Sequence, residues 1–134
     1  MSEGSRSNTG SAAGSNLGSS LGVPAALVPA TVPELARLLA GNAAGDRRPL
    51  LPVGGRTSLE FGFAVDPTSL EVTTSRLDKV IDYPARDMTV TVGAGCRVSV
   101  LQELLGGEGQ RLPVDVPLSH RATLGGAIAS NAAG

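Results

Sequence analysis

Aromatic residues are nearly missing from this chain. Phe61, Phe63 and Tyr83 are the only ones and tryptophan is absent. Any core therefore rests on Val, Leu, Ile and Ala, and a series of ring platforms for single-stranded nucleic acid is not available. Cysteine and histidine each occur once, as Cys96 and His120. An internal disulfide is thereby excluded, and the material for a cysteine- or histidine-based metal centre is lacking. Lysine is also single (Lys79), and 11 basic residues against 12 acidic ones leave a net charge of −1. Such a balance exerts no long-range pull on nucleic acid or an anionic membrane. No apolar run approaches the about 20 residues that cross a bilayer. Arg6 has no apolar block behind it, so a secretory signal is not visible. These shortages predict a cytoplasmic protein without nucleic-acid partners or membrane insertion, and 134 residues leave room for one domain.

What is present begins with a tail. Residues 1–22 are dominated by Gly and Ser, with too little apolar surface to offset the entropy of ordering, so they are expected to be disordered. Structure is expected from residue 23. Thr31 and Glu34 have capping-box spacing, Pro33 suits a first helical turn, Leu35, Leu38 and Leu39 share a face, and Gly41 is the expected stop. That helix is expected to pack on a sheet. "PLLPV" (49–53) reads as a buried strand, with further strands around Val72, over Val80–Tyr83 and over Met88–Val92, the last two parted by a turn at Pro84. Ser99 and Gln102 repeat the capping-box spacing at the head of a second helix. Val98, Leu101, Leu104 and Leu105 form its apolar face, and Gly106–Gly107 its end. The pattern is α+β: a small mixed sheet flanked by helices, with an incomplete second subdomain.

Two glycine bends carry the chemistry. A diphosphate needs several donors arriving from a narrow arc, and a chain with one lysine cannot offer a cluster of ammonium groups. Main-chain N–H groups do the same work where glycine keeps side chains away, and a helix starting there adds its free N–H groups and the positive end of its dipole. "PVGGRTSLEFG" provides Gly54 and Gly55 with the hydroxyls of Thr57 and Ser58; "ATLGGAIASNAAG" provides Thr123, Gly125 and Gly126, then a tight turn or helix start from Ala127. A lone GG turn is most often a structural bend. Two of them, one supersecondary unit apart, favour a phosphate-bearing cofactor.

In order, "LLPVGGRTSLEFG", the ladder "SRLDKVIDY…MTVTVGAG" and "ATLGGAIASNAAG" resemble the N-terminal part of the FAD-binding domain of the vanillyl-alcohol oxidase/p-cresol methylhydroxylase (PCMH-type) flavoproteins. Within that family they are most similar to the FAD-binding subunit of glycolate oxidase. The likeness covers roughly residues 24–134. It implies an FAD-dependent oxidoreductase acting on glycolate or another 2-hydroxy acid, with the FAD diphosphate and adenosine wrapped by both bends. By position, Gly54, Gly55, Arg56, Thr57 and Ser58 would bind from the first. Pro117, Thr123, Gly125, Gly126, Ala129, Asn131 and Gly134 would line the cofactor path from the second. Arg56 stands where many relatives have a third glycine; it either points outward, the favoured placement, or meets a phosphate. Thr57 occupies the place of the histidine that carries FAD covalently in some relatives, which implies non-covalent FAD. Other glycolate oxidase-type subunits are the implied partners.

No catalytic acid, base or metal ligand is expected. Cys96 reads as a small buried residue, His120 as a surface one, and Asp87 and Asp115 as lone turn carboxylates. In the family the domain continues past the second bend, so the resemblance implies a partial domain over 23–134, with weak FAD affinity and poor solubility in isolation. Two other readings compete. One is a non-catalytic interaction module completed by another chain. The other is a Rossmann dinucleotide binder, which "GGRTSLEFG" serves badly because it lacks the G-x-G-x-x-G spacing and leads into strand-like sequence.

Overall fold

The structure, a computed structural model, describes residues 26–132. The Gly/Ser tail and Gly134 lie outside the described residues.

Helix α1 spans Val32–Ala44. Its start is the expected one: the Thr31 hydroxyl accepts from the Glu34 N–H at 3.2 Å, and Pro33 sits in the first turn. The Glu34 carboxylate reaches one residue further back than a capping box requires, to the Ala30 N–H. The helix runs past Gly41 and stops at Gly45, whose N–H returns to the Gly41 carbonyl. The expected packing is weak, because no α1 residue is buried.

Strand β1 (Leu50–Val53) pairs in parallel with β2 (Leu70–Thr73), in register Leu50 with Leu70 through Val53 with Thr73. Leu27 adds a one-residue bridge on the other edge of β2. Strands β3 (Val80–Asp82) and β4 (Thr91–Val92) form a separate antiparallel pair. Strand β4 is shorter than the Met88–Val92 expectation because a single 3-10 turn, Ala85–Asp87, ends at Met88 with φ +54°. The α+β class holds, its parallel and antiparallel pairing divided between two small sheets.

Helix α2 covers Val98–Gly106. Its expected capping box is absent: Arg97 is the N-cap and makes no side-chain cap bond. Gln102 instead clamps the Leu112 backbone, donating to its carbonyl at 2.7 Å and accepting its N–H at 3.1 Å. Val98, Leu101 and Leu105 are buried while Leu104 faces out. Val98 packs with Val116, Ala122 and Ala127, and Leu101 and Leu105 pack with Cys96 and the partly buried Tyr83, Val90 and Leu112. Helix α2 thus links two aliphatic clusters, and the first underlies the short helix α3, Leu124–Ala129. No helix among the described residues is long and apolar enough to cross a membrane.

Candidate functional site

The first bend begins where β1 ends. Val53 is 2 % exposed, and its carbonyl takes the Thr74 N–H at 2.9 Å, so the chain leaves the sheet from a fixed point. Gly54 and Gly55 follow, packed directly against the second bend. A Cβ on Gly54 would overlap the Thr123 hydroxyl, and one on Gly55 would overlap the Arg121 carbonyl and lie 3.1 Å from the Ala122 Cα. The two bends meet, as a shared ligand requires. Glycine at 54 and 55 is demanded by this approach of chain to chain.

The second bend is laced to the segment before α2. Thr123 bridges Arg97, the Leu124 N–H donates to Cys96 O at 2.8 Å, and the Gly125 N–H donates to Ala94 O at 2.9 Å. The Thr123 hydroxyl accepts the Gly126 N–H at 3.2 Å, and the Ala127 N–H closes the first helical bond to Thr123 O. Every N–H at the start of α3 is therefore engaged within the protein, and the free helix donors expected here are not available. Gly125 serves packing, since a Cβ there would lie 2.8 Å from the Ala94 Cβ. Asn131 holds φ +50°, an arrangement its short polar side chain tolerates, and the Ala132 N–H closes back to Ala127 O.

The donors of the first bend are in a different state. None of the N–H groups from Gly54 to Ser58 donates to a main-chain carbonyl among the described residues. Arg56 adopts φ +56°, the conformation that makes glycine common in such bends. Its guanidinium pairs with the Glu71 carboxylate on β2, whose side chain is 8 % exposed against 47 % for Arg56. Arg56 is thus half exposed, and its guanidinium neutralises a buried carboxylate and ties the loop to β2.

Around these bends lie three cavities. One of about 520 Å³ is lined by residues from Gly54 to Ser58, with Phe61, Gly126 and Ala129. A second, about 280 Å³, is lined by Thr57, Ser58, Phe61, Val116, Pro117 and Ser130 among others. The third, about 390 Å³, touches the same Gly54–Gly55 pair and Thr123 and adds Ser75, Asp78, Arg97, His120 and Arg121. Of the residues expected to bind, Gly54, Gly55, Arg56, Thr57, Ser58, Pro117, Thr123, Gly126 and Ala129 stand on a cavity wall. Gly125 and Asn131 do not.

Sequence reasoning missed Glu71, Phe61, Arg97 and Arg121. The arginines add side-chain donors to the main-chain ones: two of them line the cavity that touches the glycine pair, each beside a glycine segment in sequence ("GCR", "RATLGG"). Cys96 is 1 % exposed, and burial followed by the charge of Asp78 pushes its thiol above the ordinary value, which disfavours the thiolate. Among the described residues no cluster of three or more His, Cys, Asp or Glu is arranged to hold a metal. Open N–H groups, two hydroxyls and two arginines on the neighbouring cavity wall make a donor set of the kind that suits an anion such as a diphosphate.

Comparison with known proteins agrees with this chemistry. A family model described as FAD binding domain matches residues 23–134. A D-2-hydroxyglutarate dehydrogenase from Xanthomonas citri pv. viticola is 35 % identical over 85 residues, covering 63 % of this chain and 18 % of that protein. Two structures of alkyldihydroxyacetonephosphate synthase superimpose with TM-scores of 0.65 and 0.61 at 23 % and 26 % identity. Each covers 76 % of this chain, and 21 % and 19 % of theirs. The chain therefore spans about a fifth of the length of each of these relatives.

Proposed function

Since the chain belongs to the FAD-binding domain family, we propose that its two bends grip the diphosphate and adenosine of FAD without a covalent bond, as part of an oxidoreductase acting on a 2-hydroxy acid. The observation that carries this reading is the meeting of the bends around Gly54, Gly55 and Thr123, with the N–H groups of 54–58 left open beside them. Those N–H groups and the Thr57 and Ser58 hydroxyls supply short-range donors. Arg97 and Arg121 raise the local positive potential. Arg56, held by Glu71, keeps the loop in the shape that aims the donors.

Non-covalent attachment follows from Thr57, whose hydroxyl does not make the histidine–flavin linkage. The substrate class draws support from the curated relative, named for a 2-hydroxy acid, and glycolate is the member that the resemblance to glycolate oxidase favours. FAD when bound supplies a hydride acceptor. The residues described here bind and orient, and none is assigned proton transfer.

Competition binding to the purified chain tests the reading. FAD binds, ADP displaces it, and riboflavin does not, because the grip is on the diphosphate and adenosine. Riboflavin displacing FAD while ADP leaves it in place overturns the assignment.

A further inference from the structure

Phe61 is 79 % exposed, in a chain with only two other aromatics. Tyr83 is already committed, half-buried against α2 with its hydroxyl donating to Gln110. A scattered exposed apolar residue needs no explanation, but the place of this one does. Phe61 forms part of the wall of both cavities that contain Thr57 and Ser58. Its N–H turns back to Ser58 O at 3.4 Å, which sets the ring one turn beyond the hydroxyl pair. The other walls of the smaller cavity include Val116, Pro117, Ala122 and Ala127, apolar and short, so the ring borders a slot without competing charges.

We propose that Phe61 is the stacking platform for the adenine of the bound cofactor. The inference rests on the function proposed above. With the diphosphate on the 54–58 donors, the nucleoside end extends over the phenyl face. There, ring-on-ring contact replaces water on two apolar surfaces at once. Retention of the nucleoside then comes from an exposed residue of the first bend, while the main-chain donors of the same bend hold the phosphates.

Because Phe61 is exposed, its replacement leaves the core untouched, and circular dichroism of the variants should match the parent. Binding of ADP, FMN and inorganic pyrophosphate to the full chain is measured for the parent, Phe61→Ala, Phe61→Trp and Phe63→Ala. Stacking on one base predicts that Phe61→Ala weakens ADP by about five- to 150-fold. Pyrophosphate binding stays unchanged, Phe61→Trp restores ADP, and Phe63→Ala, on the wall of the larger cavity only, weakens ADP less than Phe61→Ala does. Parental ADP binding retained by Phe61→Ala overturns the platform alone, as does an equal loss of pyrophosphate or a loss confined to FMN. Failure of the parent to bind ADP or pyrophosphate overturns the function proposed above and the platform with it.

Discussion

The Arg56–Glu71 pair makes the sharpest prediction, because backbone and charge act at one residue with opposite signs. A fully buried pair broken from one side costs about 3–5 kcal/mol, and an exposed one about 0–1 kcal/mol. Glu71 is buried and Arg56 half-exposed, so water reaches one partner only, and Arg56→Ala should cost about 2 kcal/mol by interpolation. The same residue sits at φ +56°, where an L-residue carries about 1–2 kcal/mol of strain that glycine does not. Arg56→Gly therefore loses the ion pair but recovers strain, and should be more stable than Arg56→Ala by about 1 kcal/mol. Urea unfolding followed at 222 nm resolves this, since at about 1–3 kcal/mol per molar urea the midpoint should fall by about 0.7–2 M for Arg56→Ala and differ by about 0.3–1 M between the alanine and glycine variants. A double-mutant cycle with Glu71→Ala isolates the charge contribution. Arg56→Ala costing as much in the Glu71→Ala background as in the parent would refute the pairing. Equal stability of the glycine and alanine variants would refute the strain.

Other outcomes follow from the same contacts. Gly55→Ala places a methyl against main-chain atoms of Arg121 and Ala122 that cannot rotate away, and should cost about 1–3 kcal/mol and abolish ADP binding. Gly41→Ala, in α1 with nothing within 4 Å, should stabilise by about 1 kcal/mol in the same assay. Thr123→Val keeps the shape of a residue 4 % exposed but leaves the Gly126 N–H unpaired. Its expected cost is about 1–2 kcal/mol, with Thr123→Ser near neutral, both read from urea midpoints. Cys96 should resist a thiol reagent at neutral pH until the chain unfolds. Its thiol is raised by burial in the folded state, so its contribution to stability is complete below the unfolded thiol value and declines as pH rises through the folded one. Cys96→Ala should flatten that alkaline decline in urea midpoints measured across pH.

Features closed over a few residues were legible in the sequence. The Thr31 cap, the Gly106–Gly107 stop of α2 and the Thr123 bend each depend on neighbours within about one helical turn. Gln102 was misread because the spacing to Ser99 is local while its real partner, the Leu112 backbone, is ten residues away on the return segment. Glu71 was invisible for a related reason. An acid amid "LEVT" reads as the outward position of a strand, and nothing nearby announces that it is buried and paired with Arg56. Arg97 and Arg121 could have been weighed as residues flanking the glycine segments, yet that both border one cavity depends on the bridge between Arg97 and Thr123.

The glycines themselves are the instructive case. Small residues at two bends suggested room for a ligand, whereas here the missing side chains at 54, 55 and 125 are filled by the protein's own backbone and side chains. Glycine content alone therefore does not identify a phosphate site; the disposition of donors does. On that measure the bends are unequal. The second has its N–H groups tied to Ala94, Cys96 and Thr123, so it acts as a rigid wall that fixes the position of the first. The first keeps its N–H groups open because Arg56 leaves the strand direction at φ +56° and is held there by a buried carboxylate. On the function proposed above, the grip on the diphosphate would depend on an acidic side chain outside the row of donors: Glu71 holds Arg56, and Arg56 shapes the loop that presents them.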